Sequence, residues 1–404
     1  MEYPRREECK EIPNLLSSFV DSFVDFSVSG GLFLLPDDLP NPNPNPNPNP
    51  LRTRYPATER LVAIGDLHGD LEKTRQSLRL ASLVDDADRW TGGSTTVVQI
   101  GDVLDRGGEE LKILYFIEKL RREAARCGGE IISMNGNHEI MNVEGDFRFV
   151  TAEGLEEFKI WADWFSVGTK MKSLCDGLEK NPRDLFEGIP HSFNGVKAEF
   201  SYGFRARIAA LRPSGPISAR FLSKNLTVLV IGDSVFVHGG LLPSHVSYGL
   251  DRINEEVRDW IINGSSQGRR YPPAYCRGRN GVVWLRSFSN ESPAKCDCEV
   301  LEHVLATIPG AKRMIMGHTI QRVGINGVCE DRAIRIDVGM SKGCIDGLPE
   351  VLEIKRNSEV SILTSNPMYF KSSSAAMAAD GGGRREGLGL LLPENGPNQV
   401  QVKA

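Results

Sequence analysis

Five short segments constrain this chain more than any other feature: GDLHG at 65–69, GDVLDRG at 101–107, GNHE at 136–139, HGG at 238–240 and GH at 317–318. Each follows an apolar run: LVAI (61–64), VVQI (97–100), IISM (131–134), VFV (235–237) and MIM (314–316). A run of this kind stopped by Gly reads as a buried strand ending in a tight loop. Five such strands carry Asp66, His68, Asp102, Asn137, His138, His238 and His318 to one edge of a sheet. Open α/β sheets bind ligands at the carboxyl ends of their strands. Imidazole, carboxylate and amide donors without Cys suit Mn, Fe, Zn or Ni. Seven donors exceed what one tetrahedral ion takes, and suit two ions sharing a carboxylate. Such a pair, roughly 3.5–4 Å apart, clamps a phosphoryl group and lowers the pKa of a shared water. One His or Asp alone reads as readily as a satisfied loop residue; all five segments together predict a metal site.

The order GDxHG, GDxxDRG, GNHE, HGG, GH resembles the phosphoprotein phosphatase branch of the metallophosphoesterases, over roughly residues 57–365. Four stretches carry a closer resemblance to the Shewanella-like protein phosphatases, of the type found in plants outside the chloroplast. They are GNHEIMNVEGDFRFV (136–150), GDSVFVHGGLLPSHV (232–246), NGVVWLRSF (280–288) and MIMGHTIQRVGINGVCEDRAIRIDVGMSKGCIDGLPEVLEI (314–354). The resemblance implies an α/β fold, an α/β/β/α sandwich of two mixed sheets flanked by helices. It implies that Asp66, His68 and Asp102 hold a first ion, and that Asp102 bridges to a second held also by Asn137, His238 and His318. It makes His138 the general acid, held by Asp105, because a carboxylate on the far ring nitrogen orients the imidazole and raises its basicity. Arg106 would grip phosphate oxygens through a bidentate fork. Arg286 in VVWLRSF is the candidate second phosphate-binding Arg, with an ion-pairing Arg at a strand end as the plainer reading. Arg148 and Arg205 are further candidates that no spacing fixes.

The implied activity is that of a metal-dependent phosphoprotein phosphatase, hydrolysing phosphoric monoesters of phosphoprotein substrates. Its cofactors would be two divalent or trivalent metal ions, manganese first, with iron or zinc as alternatives. Where common Ser/Thr phosphatases carry Ser-Ala-Pro-Asn-Tyr, this chain reads DVGMSKG (337–343), which implies insensitivity to okadaic acid and microcystin. Two rival readings stand beside it. A diadenosine-polyphosphate-type nucleotide hydrolase has a VWxR-like element similar to VVWLR. A non-catalytic, metal-bound scaffold for phosphoproteins would lack a ligand or the acid, and here every such position is filled.

With 404 residues, 40% hydrophobic and 25% charged, the chain can bury one large core and still carry tails. A net charge of −5 leaves no basic footprint for nucleic acid or an anionic membrane. No apolar run is long enough to span a bilayer, and MEYPRREECKEI lacks the apolar core of a signal peptide. A cytoplasmic location is the default. The expected organisation is an N-terminal helix and Asn-Pro spacer over 1–56, partly disordered; a catalytic domain over 57–366 with an insert around 146–225; and a disordered tail over 367–404.

Within 14–28, Leu15, Leu16, Phe19, Val20, Phe23 and Val24 share a helical face, which either docks on the catalytic domain or meets a partner or membrane surface. EEFKIWADWF (156–165) reads as an amphipathic helix, and Cys175 to Leu185 as a polar loop. The basic stretch FRARIAALRPSGPISARFL (204–222) is either a cap over an anionic substrate or a solvated face. Eight cysteines admit three readings. They are reduced buried thiols, a Cys3His zinc site from Cys276, Cys296, Cys298 and His303, or redox pairing that regulates activity or import. The last would bring a thiol-disulfide relay partner and a location in the mitochondrial intermembrane space.

Overall fold

The apolar runs before the glycine loops are strands, and their ends share one edge. The computed structural model describes residues 12–33, 51–174, 184–264, 268, 271–356, 358–366, 389–391 and 400–403. In chain order the strands are β1 (Arg54–Tyr55), β2 (Arg60–Ile64), β3 (Thr96–Gln99), β4 (Glu130–Ser133), β5 (Val228–Ile231), β6 (Ser234–Val237), β7 (Arg313–Met316), β8 (Asn326–Val328), β9 (Ala333–Arg335), β10 (Glu350–Lys355), β11 (Val360–Thr364), β12 (Gly389–Leu391) and β13 (Val400–Lys403). The helices are α1 (Ile12–Val28), α2 (Leu71–Leu80), α3 (Glu110–Arg126), α4 (Asn137–Glu144), α5 (Ala152–Ser173), α6 (Ser201–Leu211), α7 (Pro216–Arg220), α8 (Pro243–Tyr248), α9 (Leu250–Asn263) and α10 (Cys298–Thr307).

Two mixed sheets result, as expected. One has the order β1-β5-β6-β7-β9-β8 and the other β12-β13-β11-β10-β2-β3-β4. Strands β2, β3 and β4 run parallel, with Val62 opposite Val97 and Val97 opposite Ile131, so their glycine loops open side by side. In the other sheet β6 and β7 are parallel, with Phe236 opposite Ile315, and deliver His238 and His318 together. Every residue of β3 and β6 is buried. Strands covered on both faces need continuous apolar runs, which is why these segments do not alternate. The sheets meet at their carboxyl ends: a Cβ on Gly65, just after β2, would stand 2.4 Å from the Ile336 carbonyl oxygen that follows β9.

Helix α1 docks on the domain's flank, which decides between its two expected roles. Its apolar face is split, however. Val20 and Val24 are buried, whereas Leu15 and Phe19 stay exposed. Phe23 meets Trp164 edge-on at 5.5 Å, and Asp25 takes a two-pronged bond from Arg220 at 2.6 and 2.7 Å. The expected helix at 156–165 extends over 152–173, capped by the Thr151 hydroxyl, which accepts from Gly154 N–H at 3.0 Å. In the tail, β12 and β13 add to the edge left by β11, a difference from the composition-based expectation. An open edge offers backbone hydrogen bonds whatever the added side chains. The Asn-Pro repeat and most of the polar loop from Cys175 lie outside the described residues. No helix among the described residues is long and apolar enough to cross a membrane.

Gly168 of α5 lets α1 approach: a Cβ there would stand 2.7 Å from the Val24 side chain. Gly168→Val should therefore destabilise the protein by about 1–3 kcal/mol through overpacking, read as a lower urea midpoint. An unchanged midpoint would mean that α1 is not held by this contact.

Candidate metal centre

Five residues of the glycine loops hold left-handed backbone without being glycine: His68 (φ 43°), Asp102 (54°), Asp105 (68°), Arg106 (67°) and His318 (66°). Such residues persist only where surrounding structure over-determines them. Much of that determination comes from Glu139, which sequence reasoning missed. Its Oε2 accepts from the N–H groups of Asp102 (2.8 Å) and Gly136 (2.7 Å), and its Oε1 from Val103 (2.8 Å) and Leu104 (3.1 Å). One buried carboxylate thus ties the loop after β3 to the start of α4. The motif glycines admit close neighbours. A Cβ on Gly136 would strike Asp102 Oδ1 at 2.2 Å, and one on Gly317 would strike Asp66 Oδ1 at 2.4 Å.

All seven expected donors converge at this edge, each buried. Asp102 Oδ1 accepts from His138 N–H at 2.9 Å. That leaves Oδ2 amid imidazoles, 3.1 Å from His238 Nε2, 3.7 Å from His68 Nε2 and 3.8 Å from His138 Nε2. His238 Nε2 also lies 3.0 Å from Asn137 Oδ1. Asp66 accepts from His318 N–H at 3.1 Å. Backbone carbonyls set the rings: His68 Nδ1 bonds Leu104 O (3.0 Å), His238 Nδ1 bonds Ile100 O (3.1 Å) and His318 Nε2 bonds Trp284 O (3.1 Å). The other nitrogen of His68 and of His318 is left as a lone-pair donor, the usual preparation of a metal-binding His, whereas His238 Nε2 faces Asp102, which outweighs burial and holds that ring's pKa above its ordinary value.

The charge balance fits metal ions. Burial pushes the Asp102 carboxyl up, but the surrounding imidazoles, His238 first, outweigh it and hold the group well below the usual carboxylate range. Burial, then Asp337 and Asp102, push Asp66 well above that range. Burial lifts Asp337 to about 6, and it drives His68 down to about 4 and His318 well below its ordinary value. Neutral imidazoles and mutually repelling buried carboxylates are what a cation between them would relieve. Two sets of donors lie mutually within 4.8 Å, His68–Asp102–His138 and Asp102–His238–His318, and both contain Asp102.

Asp337 also escaped sequence reasoning, although IRI before DVG repeats the apolar-run-then-turn signal of the five segments.

His138 Nδ1 sits 2.6 Å from Asp105 Oδ2. Burial pushes this imidazole's pKa down, but Asp102 and Asp105 outweigh it and hold the pKa above its ordinary value. Behind the pair stands Arg207, fully buried. Its Nη2 donates to Asp105 Oδ1 (2.9 Å) and Glu110 Oε2 (2.7 Å), its Nη1 to Glu110 Oε1 (2.9 Å) and its Nε to Asn142 Oδ1 (2.8 Å). Asn142 Nδ2 in turn donates to the His138 carbonyl at 2.8 Å.

The basic stretch 204–222 is therefore neither a cap nor a solvated face. Arg207 serves Asp105, Arg205 donates to Ile189 O, Arg212 to Glu187 O, and Arg220 to Asp25. Of the two loosely placed candidates, Arg205 is thus held elsewhere, and Arg148 is an exposed partner of Asp146. Arg106 packs 4.8 Å over Phe149, with its buried Nε unpartnered. Arg286 Nη1 donates to His318 O (3.0 Å) and Thr319 Oγ1 (2.8 Å), which puts it beside the second donor set.

The Cys3His zinc reading fails, because Cys298 is bonded to Cys329. The fold brings these two together, although nothing in their spacing announces it. Of the other described cysteines, Cys276 is a buried free thiol and Cys127 an exposed one.

Residues 59–322 match the family described as calcineurin-like phosphoesterase. The chain is 66% identical to Shewanella-like protein phosphatase 2 of Arabidopsis thaliana, over 98% of this chain and 97% of that one. It is 28% identical to Shewanella-like protein phosphatase 1 of Plasmodium berghei, over 70% and 67% of the two chains. Among solved structures, a cold-active protein-tyrosine phosphatase of a psychrophilic Shewanella superposes with a TM-score of 0.53 and 20% identity, over 77% of this chain and 79% of that one. That last likeness is one of fold.

Arg207→Met leaves Asp105 and Glu110 buried without their cation, and should cost about 3–5 kcal/mol of stability. Arg207→Lys, which keeps the charge but loses the fork, should cost less. Urea unfolding of both variants checks the order, and equal losses would mean that charge is not what Arg207 supplies.

Proposed function

The chain belongs to the calcineurin-like phosphoesterases and, among them, to the Shewanella-like protein phosphatases, and from that premise we propose how its residues divide the hydrolysis of a phosphoric monoester. Asp66, His68 and Asp102 would hold one metal ion; Asp102, Asn137, His238 and His318 would hold the other. Manganese is the first choice for such a donor set, with iron or zinc next. When bound, two ions supply charge neutralisation at the phosphoryl group and a nucleophile at neutral pH.

The protein's own groups do the rest. Arg106, braced on Phe149 with Nε free, and Arg286, tethered at Nη1, hold phosphate oxygens. Guanidinium forks match that geometry as a Lys would not. Water provides the attacking oxygen and gives up one proton as it bonds phosphorus, the bond from phosphorus to the alcohol or phenol oxygen breaks, and His138 gives its Nε2 proton to the departing oxygen and is reprotonated from solvent. Asp105 keeps the imidazole protonated and aimed, with Arg207 behind it. The observation that carries this reading is the 2.6 Å contact of His138 with Asp105, beside the His68 and Asp102 donors. His138 Nε2 also lies near Asp102, so ligand and acid are the two roles to separate. The bond to Asp105 and the raised pKa favour the acid.

The substrates are phosphoproteins, and DVGMSKG in place of the toxin-binding stretch supports insensitivity to okadaic acid and microcystin. The Cys298–Cys329 bond favours the oxidising compartment over the cytoplasm, and with it a thiol-disulfide relay partner.

Phosphate release by manganese-loaded protein should occur from phosphoserine, phosphothreonine or phosphotyrosine peptides, withstand okadaic acid, and be abolished by His138→Asn. Turnover of diadenosine tetraphosphate alone would establish the nucleotide hydrolase instead. His138→Asn should retain both ions by elemental analysis, and should lose more rate on alkyl than on nitrophenyl phosphates. Loss of metal would make His138 a ligand, and an equal effect on both substrates would remove its general-acid role. Asp102→Asn should lose metal as well as rate, and two retained ions would remove Asp102 from its bridging place.

A further inference from the structure

A cavity of about 750 Å³ opens beside the donor set, lined by Gly278, Arg279, Asn280, Trp284, Leu285, Arg286, Ser287, Asn290 and Lys295. It shares two residues with the metal centre: Trp284, whose carbonyl holds His318, and Arg286, which donates to the His318 carbonyl. Three of the lining residues are cationic and none is acidic. This is unexpected in a chain of net charge −5. Arg279 and Lys295 are exposed and make no side-chain hydrogen bond or ion pair among the described residues. Most other arginines among the described residues, such as Arg60, Arg75, Arg121 and Arg252, are matched to a carboxylate.

We propose that this cavity is a substrate subsite for acidic residues flanking the phosphorylated residue, with Arg279 and Lys295 as its specificity determinants. The inference rests on the protein phosphatase reading. With the phosphoryl group at the metal centre and gripped by Arg286, the cavity that Arg286 and Trp284 line lies next to the bound substrate. Separate, exposed cations along a wide wall suit carboxylates at successive positions of an extended peptide. A nucleotide base is gripped by stacking on aromatic or guanidinium planes together with hydrogen bonds to its edges, and here Trp284 is the lone aromatic lining residue. Unpaired cations beside a reaction centre also raise the encounter rate with an acidic partner, an effect that salt weakens.

The test compares kcat/KM for matched phosphopeptides with acidic, neutral and basic flanks, and for p-nitrophenyl phosphate. The proteins are wild type, Arg279→Glu/Lys295→Glu and the charge-preserving Arg279→Lys/Lys295→Arg, all at equal metal content and with melting curves recorded. The acidic peptide should be preferred by the wild type, and the charge reversal should lower its kcat/KM by roughly two- to thirtyfold. The loss should fall mainly on KM and shrink with added salt. The charge-preserving variant should keep the preference, and p-nitrophenyl phosphate should be turned over equally by all three proteins. Equal turnover of the three peptides by wild type, or loss of p-nitrophenyl phosphate turnover together with acidic-peptide turnover in the reversed variant, would overturn the subsite alone. Turnover of p-nitrophenyl phosphate with no peptide turnover would overturn the protein phosphatase reading and the subsite with it.

Discussion

The whole sheet edge depends on one buried anion, Asp102, held in a turn that its own backbone disfavours. Glu139 makes that turn tenable by accepting four N–H groups from the loop and from the start of α4. Charged hydrogen bonds to a buried carboxylate are among the stronger local interactions, and here several act on consecutive peptide groups. With the loop set, Asp102 presents one oxygen to the His138 backbone and the other to three imidazoles. Both candidate ion sites contain it. The rest of the centre is arranged around this fixed charge, and the glycines at 136 and 317 are the space it and Asp66 require.

Electrostatics then separates the histidines by role. His68 and His318 are driven neutral by burial and hold one nitrogen on a backbone carbonyl, as ligands must. His138 has a carboxylate on its far nitrogen instead, and its pKa is held above the ordinary value. The same low-dielectric surroundings thus shift the rings in opposite directions according to the carboxylates they face, and His238, whose Nε2 meets Asp102, is raised although its Nδ1 meets a peptide carbonyl. Arg207 completes the second arrangement. A single guanidinium from α6 reaches Asp105, Glu110 and Asn142, so a helix far along the chain sets the surroundings of His138.

Much of this was legible in the sequence, because parallel strands advertise themselves. Strands buried on both faces need unbroken apolar runs, and the loops that follow them share an edge, so runs stopped by glycine located Asp66, Asp102, Asn137, His238 and His318 together. Asp337 carried the same signal in weaker form. Glu139 and Arg207 carried none. A glutamate one residue after a metal-binding motif looks like any first-turn helix residue, and an arginine among three others in a helical stretch looks like a solvated face.

The sequence by itself determined the strands that glycine stops and the gathering of their donors at one sheet edge, because both depend on local patterns of period and strand-stopping glycines. The two-sheet sandwich and the pairing of His138 with Asp105, 33 residues away, were legible only through the family resemblance. Only the tertiary structure decided that Arg207 rather than Arg205 or Arg148 joins the centre, that Cys298 bonds Cys329 rather than a zinc ion, and that α1 docks by Val20 and Val24 while Leu15 and Phe19 remain outside. Each of these depends on which distant segments come within a few ångströms of one another. Contacts of that kind are set by packing across the whole core, and no periodicity along the chain encodes them.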